Sequence, residues 1–140
     1  MDGLIMSNRV CVAGGAGRMG RTLAKRLVDH PELNLTAATE QPGSAWIGRD
    51  LGELIGVGKL DICVSDGLSA VIEDCDTVID FTRPEATLEH LSICLDSVKN
   101  LVVGTTGFTS AERQMIDQAA AKIGLVIASN FAIGVNAAFK

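Results

Sequence analysis

The chain has 140 residues, 47% of them apolar and 21% charged, which suits one globular domain with a core rather than a disordered segment. Its net charge of −5 and its lack of a basic run argue against nucleic acid and membrane surfaces as partners. No apolar stretch approaches the roughly 18 residues of a membrane span, and the N-terminus lacks the cationic segment of a signal peptide, so we expect a cytoplasmic protein.

The first predicted strand, Arg9–Ala13, runs into a glycine-rich turn that is followed by a helical pattern over Arg18–Asp29. Within the turn, Gly15, Gly17 and Gly20 form the pattern G-x-G-x-x-G. The order of strand, glycine turn and helix is what a dinucleotide pyrophosphate requires, because the backbone approaches the phosphates closely and the helix N-terminus offers free N–H groups. The pattern therefore predicts a dinucleotide site at this turn.

The second predicted strand, Leu33–Thr39, ends at Glu40, which follows Gly20 by 20 residues. A carboxylate at this position accepts hydrogen bonds from the ribose hydroxyls of an adenosine, and the alternative is an ordinary solvated loop carboxylate. Arg18, at the start of the first helix, is placed either to contact a phosphate group or to lie on the helix surface.

Short apolar runs alternate with helical stretches through the rest of the chain. The segment Gln41–Lys59 is glycine-rich and predicts a surface loop with one helical turn. The remaining predicted strands are Asp61–Val64, Thr77–Ile79, Leu101–Val103 and Leu125–Ala128, and the remaining predicted helices are Leu68–Glu73, Glu85–Ser97 and Ser110–Lys122. This alternation predicts an α/β fold with a doubly wound parallel sheet of the Rossmann type.

In such a sheet, ligands bind beyond the carboxyl ends of the strands. The segment Gly104-Thr105-Thr106-Gly107 follows the fifth predicted strand, and it is either a carboxamide or carboxylate site or a plain glycine turn. The segment Asp80-Phe81-Thr82 follows the fourth strand, and it either orients a cofactor ring or has Asp80 only as a turn former. His30 and His90 have no ligand or base partner at a useful spacing, so we assign both to structure or solvent.

The four cysteines are widely spaced and form no C-x-x-C pair: Cys11, Cys63, Cys75 and Cys94. That spacing favours neither a zinc site nor a redox dithiol, so we expect no metal. We expect reduced thiols, most of them buried in the core.

Four segments, at residues 12–21, 79–84, 104–108 and 130–136, resemble in order and spacing the 4-hydroxy-tetrahydrodipicolinate reductase (dihydrodipicolinate reductase) family of bacterial and plant lysine biosynthesis. The resemblance covers residues 9–140. It implies hydride transfer from NADH or NADPH to a cyclic, unsaturated dicarboxylate on the route to diaminopimelate and lysine. It also implies cofactor contacts at Gly14, Gly15, Ala16, Gly17, Arg18 and Met19 for the pyrophosphate, at Glu40 for the ribose, and at Gly104, Thr105, Thr106, Ala128, Ser129, Asn130 and Phe131 for the nicotinamide side.

The resemblance further implies a substrate domain that this chain does not contain. We expect a dinucleotide-binding domain at residues 1–128 and a hinge at residues 129–140, with no catalytic residue in this chain and a parent that forms a homo-oligomer through the second domain. Gln41 departs from family members that have a basic residue next to the acid, which leaves Arg18 as the obvious phosphate partner. The alternatives are a non-catalytic module that senses NAD(H), and the cofactor domain of a homoserine or aspartate-semialdehyde dehydrogenase.

Overall fold

The computed structural model of the protein describes residues 8–127, and the predicted hinge at residues 129–140 lies outside them. Five strands alternate with helices along this part of the chain. The strands are β1 (Asn8–Ala13), β2 (Leu33–Thr39), β3 (Thr77–Asp80), β4 (Asn100–Val103) and β5 (Leu125–Ile127). The helices are α1 (Arg18–Val28), α2 (Leu51–Ile55), α3 (Pro84–Ser97) and α4 (Ser110–Ala119), with 3₁₀ turns at Leu68–Ala70 and Ile72–Asp74.

All five strands are parallel and lie in the order β2-β1-β3-β4-β5. Along β1, Val10 and Val12 belong to a core that includes residues of α1 and α2. Cys11 and Ala13 belong to a second core, which includes residues of α3 and α4. Because side chains alternate between the faces of a strand, these two cores lie on opposite faces of the sheet. The doubly wound parallel sheet is confirmed, and its carboxyl edge carries the turns that follow β1, β2, β3 and β4.

The predicted strand Asp61–Val64 is wrong. This segment makes only an isolated antiparallel bridge between Cys63 and Asp50, together with backbone bonds to the loop before α2. The backbone N–H groups of Leu60 and Ile62 donate to the Asp50 carboxylate at 2.9 and 3.0 Å. Those donors are therefore used within the loop, and the segment does not join the five-stranded sheet.

Two further predictions need correction. The segment predicted as a helix over Leu68–Glu73 forms two 3₁₀ turns instead of one α-helix. The segment Gln41–Lys59 contains the predicted helical turn, which is α2, but it is not a loop confined to the surface. Leu51, Leu54 and Ile55 of α2 are buried against the face of the sheet that also packs on α1, because this short helix covers apolar strand residues that would otherwise meet water.

The cysteines are free thiols, and three of them are buried as predicted: Cys11, Cys75 and Cys94. Burial raises the pKa of Cys94 to about 12, so this thiol stays protonated at neutral pH. Cys63 is exposed, because the segment that carries it is not a strand of the sheet.

Two carboxylates tie distant parts of the chain together, and both have a lowered pKa. The backbone N–H groups of Leu60 and Ile62 lower the pKa of Asp50. The Arg9 side chain and its backbone N–H lower the pKa of Asp76, and the guanidinium lies 3.0 Å from that carboxylate.

We expect thermal stability to fall as the pH is lowered from about 5 toward 2. A carboxyl whose folded-state pKa lies below its unfolded value of about 3.9 stabilises the fold above that value, and this contribution is lost as the pH falls through the folded-state pKa. Thermal unfolding followed by circular dichroism measures the slope. Asp50→Asn and Asp76→Asn should flatten it, whereas Asp117→Asn, at an exposed position of α4, should not. An unchanged slope in the first two variants would contradict the assignment.

Candidate functional site

The glycine turn between β1 and α1 uses its glycines for different purposes. Gly14 has a φ of 83°, in the region that favours glycine, and its N–H donates to the Thr39 carbonyl at 3.0 Å. A Cβ at Gly15 would lie 3.1 Å from the Ala38 Cβ, and a Cβ at Gly20 would overlap the Gly14 carbonyl oxygen. A Cβ at Gly17 would meet only the Gly14 carbonyl oxygen, at 3.4 Å. Gly15 and Gly20 therefore serve packing, while Gly17 faces open space.

The N-terminus of α1 is left without a side-chain cap. Its N-cap is Gly17, and the first turn carries no acidic residue. In contrast, Asp50 caps α2, and Thr109 and Glu112 form a capping box at the start of α4. The first N–H groups of a helix need acceptors and carry a partial positive charge. This end of α1 therefore suits an anionic group such as a phosphate.

Glu40 is bonded to the glycine turn across the end of β2. One carboxylate oxygen accepts the Ala16 N–H at 2.8 Å. The Ala16 carbonyl in turn accepts the Arg21 side-chain Nε–H at 2.8 Å. The acid is thus held beside the turn rather than free in solvent, and it remains partly exposed to other contacts.

A cleft of about 710 Å³ lies between the glycine turn, the end of β2 and α3. We call it the first cleft, and it is lined by Gly14, Ala16, Gly17 and Glu40 from the predicted site, together with Trp46, Asp66 and His90. Trp46 is half-buried, and the guanidinium groups of Arg21 and Arg49 lie 5.2 and 5.1 Å from its ring centre. These are cation–π distances, and they fix the indole in the cleft wall.

A second cleft, of about 440 Å³, lies on the other side of the glycine turn. Its lining includes Gly14, Gly17, Arg18 and Met19 from the turn, and Gly104, Thr105 and Thr106 from the segment after β4. We call Gly104–Gly107 the threonine turn. The two clefts share Gly14, Gly17, Phe81, Thr82 and Arg83, so they adjoin one another along the carboxyl edge of the sheet.

The structure thus brings most of the predicted site residues to one edge, with two differences. Gly15 lines neither cleft and packs against β2. Arg18 lines the second cleft and Glu40 the first, so the two do not share one cleft wall. The predicted contacts Ala128, Ser129, Asn130 and Phe131 lie outside the described residues.

His90 has a partner that its spacing in the sequence does not reveal. Its Nδ1 lies 2.7 Å from an oxygen of Asp80, which is fully buried. Because a carboxylate only accepts hydrogen bonds, Nδ1 carries the proton. The sequence signal was the placement of Thr87 and His90 three residues apart on α3, which puts both on the face that crosses the end of β3. His30, in contrast, has a local structural contact, since its Nδ1 accepts the Glu32 N–H at 3.0 Å.

Arg83 and Gln41 form another contact that the sequence did not reveal. The Arg83 guanidinium donates to the Gln41 side-chain oxygen at 2.9 Å. Both residues line the first cleft, one from the start of α3 and the other from the end of β2. The glutamine that departs from the family pattern therefore has a cation beside it.

Two classes of feature are absent from residues 8–127. No group of histidine, cysteine or acidic side chains in this range is arranged to hold a metal ion. Within the same range, no helix has the length and apolar character needed to cross a membrane.

Residues 8–131 match the family described as dihydrodipicolinate reductase, N-terminus. A dipicolinate-bound dihydrodipicolinate reductase from Paenisporosarcina sp. TG-14 is 28% identical with a TM-score of 0.73, over 92% of this chain and 49% of that chain. An amine dehydrogenase from Mycobacterium smegmatis is 29% identical with a TM-score of 0.61, over 69% of this chain and 29% of that chain.

An aspartate semialdehyde dehydrogenase with NADP from Candida albicans has the same fold, at 15% identity and a TM-score of 0.63, over 89% of this chain and 43% of that chain. The chain thus spans about half the length, or less, of the solved structures that it resembles. The glycine turn, the parallel sheet and the family match over most of the chain agree. The chain belongs to the dihydrodipicolinate reductase family and corresponds to its N-terminal, dinucleotide-binding part.

Proposed function

We propose that the chain binds NADH or NADPH as the cofactor-binding part of a reductase that transfers hydride to a cyclic dicarboxylate, 4-hydroxy-tetrahydrodipicolinate. The observation that carries the proposal is the uncapped N-terminus of α1, with Gly17 open to space where two clefts adjoin. A dinucleotide is two nucleoside-like halves joined by a pyrophosphate. Two adjoining clefts with an anion site between them match that shape.

In this proposal, the pyrophosphate contacts the glycine turn from Gly14 to Met19, and Glu40 accepts the ribose hydroxyls of the adenosine. The adenosine half belongs to the first cleft, whose wall includes Trp46 and Phe81. The nicotinamide half belongs to the second cleft, beside the threonine turn. Ala128, Ser129, Asn130 and Phe131 remain proposed contacts on the nicotinamide side.

The chain's own residues bind and orient the hydride donor in this assignment. Reduction of the substrate also needs a proton, which a general acid must deliver. We propose that this acid belongs to the substrate domain of the parent enzyme, so that this chain binds cofactor without turnover. A cytoplasmic location and a homo-oligomeric parent belong to the same proposal.

Titration with NADH tests the proposal directly. Trp46 is the single tryptophan and lines the first cleft, so its fluorescence reports binding there, and calorimetry gives an independent Kd. We expect saturable binding with a Kd below about 1 mM. Absence of saturation by both NADH and NADPH would reject the proposed function. Turnover of the dicarboxylate by this chain alone would reject the division of roles between the two domains.

Glu40→Gln is expected to shift cofactor preference from NADH toward NADPH. The amide oxygen can still accept the Ala16 N–H, so the shape of the turn is retained. The change removes a negative charge. In the proposed site, the carboxylate accepts hydrogen bonds from the ribose hydroxyls of NADH, and its charge repels the 2′-phosphate of NADPH. We expect NADH to bind about threefold to tenfold more weakly and NADPH no more weakly than before.

Asp66→Asn is the matched control for this prediction, because Asp66 is a second acid in the wall of the first cleft and is exposed. It should leave the ratio of the two affinities almost unchanged. Equal losses of affinity for NADH and NADPH in Glu40→Gln, measured by calorimetry, would show that Glu40 does not bind the ribose hydroxyls.

A further inference from the structure

Asp80 is fully buried at the end of β3 and collects hydrogen bonds from three parts of the chain. One carboxylate oxygen accepts the Thr82 N–H at 2.9 Å and the Thr82 hydroxyl at 2.6 Å, and the Thr105 hydroxyl lies 3.5 Å from it. The other oxygen accepts His90 Nδ1–H at 2.7 Å. We call Asp80, Thr82, Thr87, His90 and Thr105 the Asp80 network.

The hydrogen bonds of this network have one consistent assignment of donors and acceptors. The Thr87 hydroxyl donates to the Thr105 hydroxyl at 2.9 Å, which leaves the Thr105 proton for Asp80. Both threonines are buried, and no buried side-chain polar atom in the described residues lacks a partner. A buried network whose members are all satisfied is rigid, and the loss of one member leaves another unpaired at a cost.

The network also joins the two walls of the second cleft. Thr82 packs on the glycine turn, since its methyl carbon lies 3.3 Å from where a Cβ of Gly14 would be. Thr105 belongs to the threonine turn on the opposite wall. Asp80 accepts hydrogen bonds from the side chains of Thr82 and Thr105. Neither Asp80 nor Thr87 lines either cleft. The separation of the two walls thus depends on groups behind them.

We propose that the Asp80 network sets the separation of the glycine turn and the threonine turn, and so positions the nicotinamide half of the dinucleotide. Thr87 and His90 act in this as positioning residues. The inference rests on the proposed function, because it concerns the nicotinamide side of the same site. It predicts that substitutions of network residues that do not line the cleft weaken binding of the whole dinucleotide. The same substitutions should leave binding of the adenosine half alone unchanged.

Thr87→Val and Thr87→Ser form a matched pair for the test. Valine keeps the branched shape but removes the hydroxyl that donates to Thr105, whereas serine keeps the hydroxyl and loses a methyl group. The probes are NADH and AMP, each measured by calorimetry. We expect Thr87→Val to weaken NADH binding about fivefold and to leave AMP binding within about twofold. Thr87→Ser should retain the wild-type ratio of the two affinities.

Asp80→Asn is a second variant, in which the new side chain has nearly the shape of the old one. It should also weaken the binding of NADH relative to that of AMP. Its amide group donates where the carboxylate accepted, so the His90 proton must move from Nδ1 to Nε2 to keep a partner. Nitrogen chemical shifts of the ring report this change. In the wild-type chain, NADH should shift the amide resonances of Thr87 and Thr105, and AMP should leave them in place, which tests the inference without any substitution.

Equal losses for NADH and AMP in the folded variants, or no loss for either, would overturn the inference, as would identical effects of both probes on the Thr87 and Thr105 resonances. These outcomes differ from failure of the proposed function, in which the wild-type chain itself does not bind NADH.

Discussion

Gly17→Val is expected to abolish dinucleotide binding while leaving the chain folded. Gly17 has a φ of −74° and a ψ of 169°, which any residue adopts, and a Cβ there meets only the Gly14 carbonyl oxygen at ordinary contact distance. The branched side chain occupies the space beside the uncapped N-terminus of α1, where the pyrophosphate would lie. We expect NADH affinity to fall at least about a hundredfold, equivalent to about 2.8 kcal/mol.

Calorimetry with NADH measures this loss, and circular dichroism shows whether the variant keeps its fold and its thermal midpoint. Gly17→Ala is the graded control, since one methyl group fills less of the same space and should cost less affinity. Wild-type NADH affinity in a folded Gly17→Val chain would mean that the glycine turn is only structural.

Gly20→Ala is expected to have the opposite character, with a large loss of stability. A Cβ at this position overlaps the Gly14 carbonyl oxygen and lies 2.9 Å from the Gly14 carbonyl carbon and 3.0 Å from the Gly15 Cα. All three are backbone atoms, so α1 must move away from the end of β1. Overpacking costs about 1–3 kcal/mol, and the upper end of that range applies here because the clash is with backbone, while alanine returns about 1 kcal/mol of helix propensity.

We therefore expect a net loss of about 2 kcal/mol, which lowers the thermal midpoint by roughly 8 °C in a domain of this size. Denaturant unfolding gives the free energy, and Gly17→Ala serves as the control from the same turn. Equal stability of the two alanine variants would show that the close approach of α1 to the turn is not needed by the fold. Together, Gly17 and Gly20 separate binding from folding within one motif.

The fold was predictable where the chain's local pattern and its final partners agree. The strands β1 to β5 are short apolar runs between turns, and β1 to β4 bury most of their apolar side chains in the sheet, while β5 forms its partly exposed edge. The segment Asp61–Val64 has the same alternation, with Ile62 and Val64 two residues apart. However, the Ile62 N–H, together with that of Leu60 just before the segment, donates to the Asp50 carboxylate. These two hydrogen bonds span ten and twelve residues, and no periodicity of the sequence encodes them.

The candidate site divides in the same way. The glycine turn and Glu40 could be predicted from their spacing in the sequence, because the strands and turns that separate them have nearly fixed lengths. The pair of Asp80 and His90 and the contact of Arg83 with Gln41 depend on how α3 lies across the ends of β2 and β3. Such contacts are tertiary, so a single sequence gives the residue types without their pairing.

The strand order has a consequence for synthesis of the chain. Strand β1 is made first, yet it lies inside the sheet, between β2 and β3. Its partner Leu33–Thr39 follows soon, but its other partner, Thr77–Asp80, comes roughly 40 residues later, which takes about 2–8 seconds on a ribosome that adds about 5–20 residues per second. During that interval the nascent chain has an unpaired apolar edge at Val10–Val12, which is a template for pairing with other chains. Slow translation between these strands lengthens that exposure, so we expect the yield of folded protein to depend on the speed of its synthesis as well as on its stability.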